Sequence, residues 1–433
     1  MAQTALPSPA AQWPRAAFPL RLSAGERHLV DATGQPFFLH GDSAWSLIAQ
    51  LTREDASRFL QDRQQRGFNT LLVNLLEHQF STRAPANVYG QQPFVTPGDF
   101  TTPNEAYFAH ADRVLREAAE RGMLVLLAPA YLGYDGGDQG WYREMLANGP
   151  DKLRAYGRYL GRRYSGFRNI LWVHGGDYNP PNKDLVRAIA DGVRESDTLA
   201  LHTAHCAPET AAIEYWKGEP WLQVNNAYTY RQVFPSAIRQ YMRSERLPYF
   251  LLESAYENEH GAAEQRLRMQ AYQALLSGAA GHVYGNNPIW HFDGPGLFPA
   301  PLSWQASLAS RGAQSMSHLR ALFETLPWWK LVPDTRQALL ASGQGPERER
   351  AVAAATEDGA LAVVYLPTPR ALRIDLRRLR GPNTLARWYD PAEGRYLEGD
   401  GDTLPATKVR AIRPPERDGG PQGDWVLVLT SAG

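Results

Sequence analysis

Eight short apolar segments recur between residues 37 and 322, separated by helix-like or long polar segments. Segments with helical periodicity or capping signals cover residues 52–66, 107–121, 151–163, 183–195 and 307–322. Runs this apolar predict strands buried on both faces, and their alternation with helices is typical of a parallel sheet. Eight such units predict an α/β fold of the (β/α)₈ TIM-barrel type. The apolar segments cover residues 37–41, 69–76, 123–129, 170–174, 200–205, 222–226, 249–253 and 281–285.

The alternative α/β architecture is a doubly wound open sheet. Such a sheet usually carries a Gly-rich phosphate-binding turn after its first strand. Here the corresponding sequence, at residues 40–45, is His-Gly-Asp-Ser-Ala-Trp, which lacks that pattern. We therefore expect the barrel.

The segments that flank this region have a different pattern. Residues 20–30, with turn signals at 23–26 and 32–35, predict a β-hairpin that closes the bottom of the barrel. After residue 327, short β-rich runs are separated by Gly, Pro and Asp turns, which predicts an antiparallel β-sandwich. We expect an N-terminal segment (1–36), a barrel (37–326) and a C-terminal sandwich domain (327–433). The β-rich runs cover residues 351–354, 361–366, 372–376, 385–389 and 425–429.

The composition argues against several classes of partner. The 433 residues contain 45 basic and 45 acidic side chains, and this zero net charge argues against nucleic acid or an anionic membrane surface. No stretch approaches the ~20 apolar residues of a membrane span, and the single Cys206 excludes an intramolecular disulfide. Residues 1–20 show no apolar region after a basic start, so no signal peptide is visible. The sequence leaves the oligomeric state open, and the compartment is either the cytoplasm or an exported location reached after signal removal.

Two of the apolar segments end in a carboxylate. The fourth is followed by Gly175, Gly176 and Asp177, and the seventh ends at Glu253. Desolvating a carboxylate is costly, and (β/α) barrels place catalytic groups at the carboxyl ends of their strands. The fourth and seventh strands lie on opposite sides of a barrel mouth, so both groups can face one substrate, as glycoside hydrolysis requires. The structural alternatives are an ion-paired strand end for Glu253 and a turn or N-cap residue for Asp177.

Polar or aromatic residues also stand at the ends of most other predicted strands. Together they describe a sugar-binding mouth, which needs hydrogen-bond partners for hydroxyl groups and a flat face for stacking. Aromatic residues make up 11% of the chain, including 12 Trp and 20 Tyr, which favours a carbohydrate substrate. For each residue taken alone, a structural role explains the position equally well. The candidates for substrate binding are Asp42, Trp45, Asn74, His205, Asn226, Tyr228, Tyr284 and Trp290.

Metal-dependent hydrolysis is the main rival chemistry. Barrel metallohydrolases commonly begin with His-x-His at the end of the first strand, where this chain has His40-Gly-Asp42. The remaining histidines do not form a His-Glu-x-x-His motif. A Gly-rich turn explains Asp135-Gly-Gly-Asp138 better than a calcium site does. The sequence contains no Gly-x-Ser-x-Gly motif and no phosphate-binding loop, so we expect neither a metal nor an organic cofactor.

Five motifs resemble those of the apiosidase-like glycoside hydrolases and occur in the same order. The resemblance covers residues 20 to about 430 and implies a (β/α)₈ barrel followed by a small β domain, which some families label collagen-binding. Residues 328–334, Trp-Trp-Lys-Leu-Val-Pro-Asp, resemble the junction between the two. The characteristic Asp-Thr-Ala-Trp is Asp-Ser-Ala-Trp here, at residues 42–45. The motifs are Phe-Leu-His-Gly-Asp-Ser-Ala-Trp (38–45), Arg-Gly-Phe-Asn (66–69), Asn-Ile-Leu-Trp-Val-His-Gly-Gly-Asp-Tyr-Asn (169–179), Leu-Glu-Ser-Ala-Tyr-Glu (252–257) and Gly-His-Val-Tyr-Gly (281–285).

The resemblance implies that Asp177 is the catalytic acid/base and Glu253 the nucleophile of a retaining, exo-acting glycoside hydrolase. The expected substrate is a terminal sugar, such as an apiose or arabinose furanoside, in a polysaccharide or glycoside. A retaining mechanism predicts carboxyl groups ~5–5.5 Å apart, and an acid near neutral pH predicts a raised pKa for Asp177. If Asp177 is not the acid, Glu257 is the next candidate. The other functional classes left open are a non-catalytic carbohydrate-binding or scaffold barrel and a metal-dependent barrel hydrolase.

Overall fold

Eight parallel strands form the centre of the computed structural model, which describes residues 13–399, 401–416 and 423–432. Numbered β1 to β8, they are Leu39–Ser43, Thr70–Asn74, Leu124–Ala128, Ile170–Gly175, Leu201–His205, Asn225–Tyr228, Tyr249–Glu253 and Gly281–Tyr284. Their order is β5-β4-β3-β2-β1-β8-β7-β6, so the sheet ends at β5 and β6. The backbone N–H of Val224 donates to the His202 carbonyl (3.1 Å) and bridges these two ends. The predicted TIM-barrel fold is confirmed.

Helices follow the strands around the barrel. Thr52 begins the second helix, where its hydroxyl accepts a hydrogen bond from the backbone N–H of Asp55 (3.2 Å), as the capping pattern predicts. A kink at Gly149 (φ 72°), followed by Pro150, divides the fourth helix into two segments. The predicted start at residue 151 corresponds to the second segment, and the first segment was not predicted. The helices α1 to α10 are Leu47–Gln50, Arg53–Gln65, Glu105–Glu120, Tyr142–Tyr164, Asp184–Arg194, Ala212–Trp216, Val233–Tyr241, Glu264–Leu275, Trp304–Ser307 and Arg311–Glu324.

The sixth strand begins at Asn225 and not at residue 222 as predicted. Leu222 is buried in the core, but its backbone N–H donates to the Glu219 carbonyl (3.1 Å), which places it in a turn. The apolar run therefore marks a buried segment without fixing its backbone conformation.

The N-terminal segment packs against the amino-terminal end of the barrel. Its strands Arg21–Leu22, Leu29–Val30 and Pro36–Phe37 form a small antiparallel sheet. Leu20, Leu29 and Phe37 of this sheet region share one buried apolar cluster with interior side chains of the barrel strands. The barrel residues in that cluster include Leu39, Leu72, Leu124, Leu126, Leu171, Leu201 and Phe250. The expectation of no signal peptide falls largely on residues 1–12, which lie outside the described residues.

The C-terminal region is a two-layer antiparallel β-sandwich, as predicted. One sheet contains Leu331–Pro333, Val352–Thr356, Leu361–Leu366, Asn383–Asp390, Arg395–Tyr396, Asp402–Pro405 and Trp425–Ala432. The other contains Leu340–Ser342, Leu372–Asp375 and Val409–Ile412. Leu372 and Ile374 of the smaller sheet share a buried cluster with Val364 and Leu427 of the larger one, so the two sheets enclose a core of their own.

A buried interface joins this sandwich to helices α8 and α10. Arg268 of α8 makes two short contacts to Asp424 (Nη2–Oδ1 2.7 Å, Nε–Oδ2 2.9 Å), and the Tyr365 hydroxyl donates to the same carboxylate (2.8 Å). The rings of Tyr272 and Tyr365 stack beside them with centroids 4.7 Å apart. Trp328 of the junction packs against Phe38 at the start of the barrel (5.1 Å). Within the described ranges, no helix has the length and apolar character needed to cross a membrane.

Candidate active site

The end of β4 has a backbone that only glycine adopts easily, and this backbone directs Asp177 into the barrel mouth. Gly175 and Gly176 have φ values of 92° and 139°, and Asp177 itself has φ 48°. A Cβ on Gly176 would lie 2.2 Å from the Tyr131 ring, and one on Gly175 would lie 2.5 Å from the His205 carbonyl. Left-handed backbone at a non-glycine residue costs energy and is concentrated at functional sites. The two glycines therefore let the backbone before Asp177 pass close to Tyr131, which follows β3, and to His205 of β5.

Three side chains surround the Asp177 carboxylate. The Tyr131 hydroxyl donates to Oδ2 (2.6 Å), and the Tyr228 hydroxyl donates to Oδ1 (2.5 Å). His205, at the end of β5, places Nε2 3.3 Å from Oδ1. The Asp177 side chain retains 18% of its surface exposed, so the carboxylate is held in place and still open to the cleft.

Glu253, at the end of β7, lies on the other side of His205. The same Nε2 atom is 3.3 Å from Glu253 Oε2, and the Tyr230 hydroxyl donates to Oε1 (2.7 Å). One oxygen of each carboxylate and a ring nitrogen of His205 lie within 4.8 Å of one another. The barrel thus brings together two carboxylates that are distant in sequence, with one imidazole between them.

The charges in this triad determine its protonation. Burial alone lowers the pKa of His205, but Asp177 and Glu253 outweigh it and raise that pKa to about 10, so the imidazole is positively charged at neutral pH. Burial, reinforced by the negative charge of Asp177, raises the pKa of Glu253. Burial also acts on Asp177, but the His205 charge and the two tyrosine hydrogen bonds outweigh it, and the pKa of Asp177 lies below its ordinary value. This direction is opposite to the rise in the pKa of Asp177 that the sequence analysis predicted.

The triad lies at the base of a cleft of about 600 Å³ with mostly aromatic walls. Four predicted binding residues line it: Trp45, Asn74, Tyr228 and Trp290. A fifth, His205, lies beneath Trp45, whose ring stacks on the imidazole with centroids 5.5 Å apart. The structure therefore gathers these five around the carboxylate pair. Other residues that line the cleft include Phe80, Tyr131, Tyr134, Tyr230, Tyr256, Glu259, Arg266, Leu297 and Phe298.

The other three predicted binding residues do not line the cleft. Asp42 is fully buried and paired with Arg63 (2.8 Å). The Asn226 amide donates to the Ala204 carbonyl (2.6 Å), across the gap between β5 and β6. Tyr284 donates to the Glu257 carboxylate, which also accepts from the backbone N–H of Gly312 (2.9 Å) at the start of α10. All three therefore make contacts within the barrel framework, because strand-end side chains alternate between the mouth and the surrounding layers.

Several residues of the cleft were not predicted from the sequence. Tyr131 follows β3 within three residues, so the strand-end rule applied to other strands would have found it. Tyr230 lies two residues after Tyr228, in the loop that follows β6. Glu259 lies in a loop with no sequence signal, where it accepts a hydrogen bond from the Trp290 indole (2.9 Å). Burial raises the pKa of Glu259 to about 7, helped by the nearby charge of Glu253.

Two other predicted sites can now be placed. Glu257, the alternative acid, is absent from the cleft lining and is held by Tyr284, Ser310 and the start of α10. Asp138 of the Gly-rich turn pairs with Arg143 at the surface. The cluster in the described residues with suitable ligand atoms for a cation is the triad itself, Asp177, His205 and Glu253. A second hollow, of about 780 Å³, lies between the N-terminal sheet and the Trp328 junction, and none of the three triad residues lines it.

Comparisons with known proteins agree with this architecture. Residues 23–330 match the family model described as "Apiosidase-like, catalytic domain", and residues 332–430 match a domain family named after a collagen-binding domain of a collagenase. A crystal structure of a glycoside hydrolase family 5 protein from Bacteroides vulgatus ATCC 8482 is 25% identical, with a TM-score of 0.83 over 95% of this chain and 92% of that chain.

Two further solved structures are similar to the chain. One described as "Glycoside hydrolase" is 25% identical, with a TM-score of 0.83 over 96% of this chain and 97% of that chain. The exo-beta-1,4-mannosidase Op5Man5 from Opitutaceae bacterium strain TAV5 is 14% identical, with a TM-score of 0.51 over 71% of this chain and 63% of that chain, and shares the fold alone. A search of curated proteins found no match.

Proposed function

We propose, from the premise that this chain belongs to the apiosidase-like family and is a glycoside hydrolase, that it is a retaining, exo-acting enzyme that removes a terminal sugar. The observation that carries the proposal is the Asp177–His205–Glu253 triad. One oxygen of each carboxylate lies within 4.8 Å of one of the other, below the ~6.5–9.5 Å that an inverting enzyme needs between its carboxyl groups. An inverting enzyme needs the wider separation so that a water molecule fits between its general base and the anomeric carbon, whereas the closer spacing suits direct attack by a carboxylate.

The two carboxylates take different roles in this mechanism. Glu253 attacks the anomeric carbon, and the bond to the leaving oxygen breaks while Asp177 delivers a proton to that oxygen. Water, deprotonated by Asp177, then releases the sugar from Glu253. The assignment of roles follows the family resemblance, which has the acid/base after the fourth strand and the nucleophile after the seventh.

The lowered pKa of Asp177 is compatible with its role as the acid. The resting triad has a protonated His205 between two carboxylates. Moving that proton from His205 to Asp177 gives a neutral imidazole, a protonated acid and an ionised Glu253, with no change in total charge. The reactive form therefore needs a proton transfer over one 3.3 Å contact rather than proton uptake from solvent. A substrate that covers the carboxylates and removes water favours this less charged arrangement.

A panel of 4-nitrophenyl furanosides and pyranosides, including β-apiofuranoside and α-arabinofuranoside, tests the proposal. We expect turnover of at least one of them and initial release of the sugar with its anomeric configuration retained, which ¹H NMR resolves. Glu253→Gln should reduce kcat by several orders of magnitude, whereas Arg311→Gln, at an exposed surface pair, should not. Release of the inverted anomer would refute the assignment of Glu253 as nucleophile.

The metal-dependent alternative has a direct test, because the triad residues could also ligate a cation. We expect the rate to be unchanged after treatment with EDTA and after addition of Zn²⁺ or Mn²⁺, since the protonated His205 already neutralises one of the two carboxylates. Loss of activity with EDTA and recovery with one metal would establish the alternative.

A further inference from the structure

The entrance of the cleft has an apolar outer wall, formed by Tyr134, Tyr230, Leu297 and Phe298. The first follows β3, the second follows β6 and the last two follow β8, so three separate loops contribute. Their exposed fractions are large for apolar side chains: 54% for Tyr134, 52% for Leu297 and 37% for Phe298. Large exposed apolar side chains from several loops, gathered at one opening, mark a binding surface.

The outer wall is continuous with the aromatic interior of the cleft. Tyr256 and Trp290 line the same cavity, and Tyr230 of this wall reaches the carboxylate pair directly, because its hydroxyl donates to Glu253 Oε1 (2.7 Å). Phe298 packs edge-on against His260 (4.6 Å), which orients the ring without covering it. A sugar bound at Glu253 would therefore have its leaving group extended along these apolar side chains.

Charged groups are scarce at this entrance. Among the described residues that line the cleft, the only arginine is Arg266, and no lysine is present. Its guanidinium donates to the backbone carbonyl of Tyr230 (3.2 Å), so part of its hydrogen-bonding capacity is used within the protein. An acidic polysaccharide would need several cations spaced along its path. The volume of about 600 Å³ suits a ligand of drug-like size and not a single sugar ring.

We infer that the outer wall is a subsite for an aromatic leaving group, so that the preferred substrate is a glycoside of an aromatic alcohol rather than an acidic polysaccharide. The inference rests on the proposed hydrolase function, and it adds the chemical class of the leaving group. Aromatic rings bury a large area against apolar side chains and stack on exposed phenyl and phenol groups. This chemistry matches the side chains at the entrance.

The test compares 2-phenylethyl and methyl glycosides of the sugar identified by the panel above. Both leaving groups are unactivated primary alcohols, so the pair isolates contact with the ring from leaving-group chemistry. We expect kcat/KM to be about tenfold higher for the 2-phenylethyl glycoside, which corresponds to ~1.4 kcal/mol. Binding of 2-phenylethanol alone, followed by tryptophan fluorescence, provides a measurement that needs no turnover.

The variant Leu297→Ser/Phe298→Ser removes part of the outer wall at two positions with exposed side chains. We expect it to lose the preference for the 2-phenylethyl glycoside and to weaken 2-phenylethanol binding about tenfold. Leu302→Ser is the matched control, because Leu302 is 58% exposed in the same region but does not line the cleft.

The outcomes distinguish the aromatic subsite from the proposed hydrolase function. Equal kcat/KM for both glycosides in the wild type, a preference for oligogalacturonides, or 2-phenylethanol binding that the double variant leaves unchanged would overturn the aromatic subsite. If 2-phenylethanol binds and the double variant weakens that binding, but no glycoside of any kind is cleaved, the subsite stands and the proposed hydrolysis fails.

Discussion

Replacing Arg268 with methionine removes the cation of the buried ion pair that joins the barrel to the sandwich domain. The Arg268 side chain is 5% exposed and the Asp424 side chain is 0% exposed, so the remaining carboxylate stays buried without its arginine. Breaking a pair of this kind costs ~3–5 kcal/mol. At ~2.1 cal/mol/K per residue, the 433 residues have an unfolding entropy of about 0.9 kcal/mol/K. The expected decrease in Tm is therefore about 3–5 °C.

Differential scanning calorimetry measures this decrease. Arg377→Met is the matched control, because Arg377 pairs with Asp375 at a similarly short distance (2.8 Å) but is 60% exposed, and exposed pairs contribute little to stability. Adding Asp424→Asn to Arg268→Met should recover part of the loss, because the buried group is then neutral. A decrease no larger than that of the control would refute the reasoning. We propose that residues from about 333 onward support the barrel, and such a result would also contradict that proposal.

The remaining predictions concern the carboxylate pair and the histidines. Asp177→Ala should lose far less activity on 2,4-dinitrophenyl glycosides, which need no acid, than on methyl glycosides, a difference of about 10²-fold or more; an equal loss on both would show that Asp177 only binds. For the wild type we expect a bell-shaped pH profile whose basic limb lies near the pKa of His205, about 10, because above it the triad has no proton left to give. His205→Gln should move this limb to lower pH, since the carboxylates alone hold the proton less tightly, and an unmoved limb would exclude His205 as the proton store. Burial lowers the pKa of His174 to about 3, whereas an unfolded histidine has a pKa near 6.5. Between these pH values the unfolded state binds more protons than the folded state, so the free energy of unfolding falls as the pH drops through that window. His174→Gln retains a hydrogen-bonding group for His202 (2.8 Å in the wild type) and should reduce this acid sensitivity in urea titrations at pH 4 and 7; an equal dependence on pH would refute the prediction.

The fold could be predicted in type and order but not in every boundary. Alternation of apolar runs with helical patterns indicated the barrel, because strands buried on both faces leave a strong signal in sequence. The first segment of α4 was missed because Gly149 and Pro150 break the helical pattern, and the helix is kinked at that point. The sixth strand was misplaced because Leu222 is buried in a turn, and burial alone does not distinguish a turn from a strand.

The candidate site was predictable in its two carboxylates and less so in its walls. Asp177 and Glu253 could be found because each follows or ends an apolar strand, where burying a charge costs desolvation free energy and a purely structural role is therefore unusual. Asp42 has the same local pattern, yet it points away from the cleft to Arg63. The difference depends on a cation that is distant in sequence and lies in α2, which no pattern near Asp42 reveals.

The sequence by itself determined which residues are buried and which end a strand, because both depend on local hydrophobicity and periodicity. Only the tertiary structure decided which strand ends share a cleft and what charge each group has there. His205 shows the physical reason. Two carboxylates contributed by different strands raise its pKa, and the positive charge that His205 then carries helps to lower the pKa of Asp177, which we expected to be raised. Electrostatic interactions act through space over a few ångströms in a desolvated site, so they depend on the packing of the whole barrel and not on neighbours along the chain.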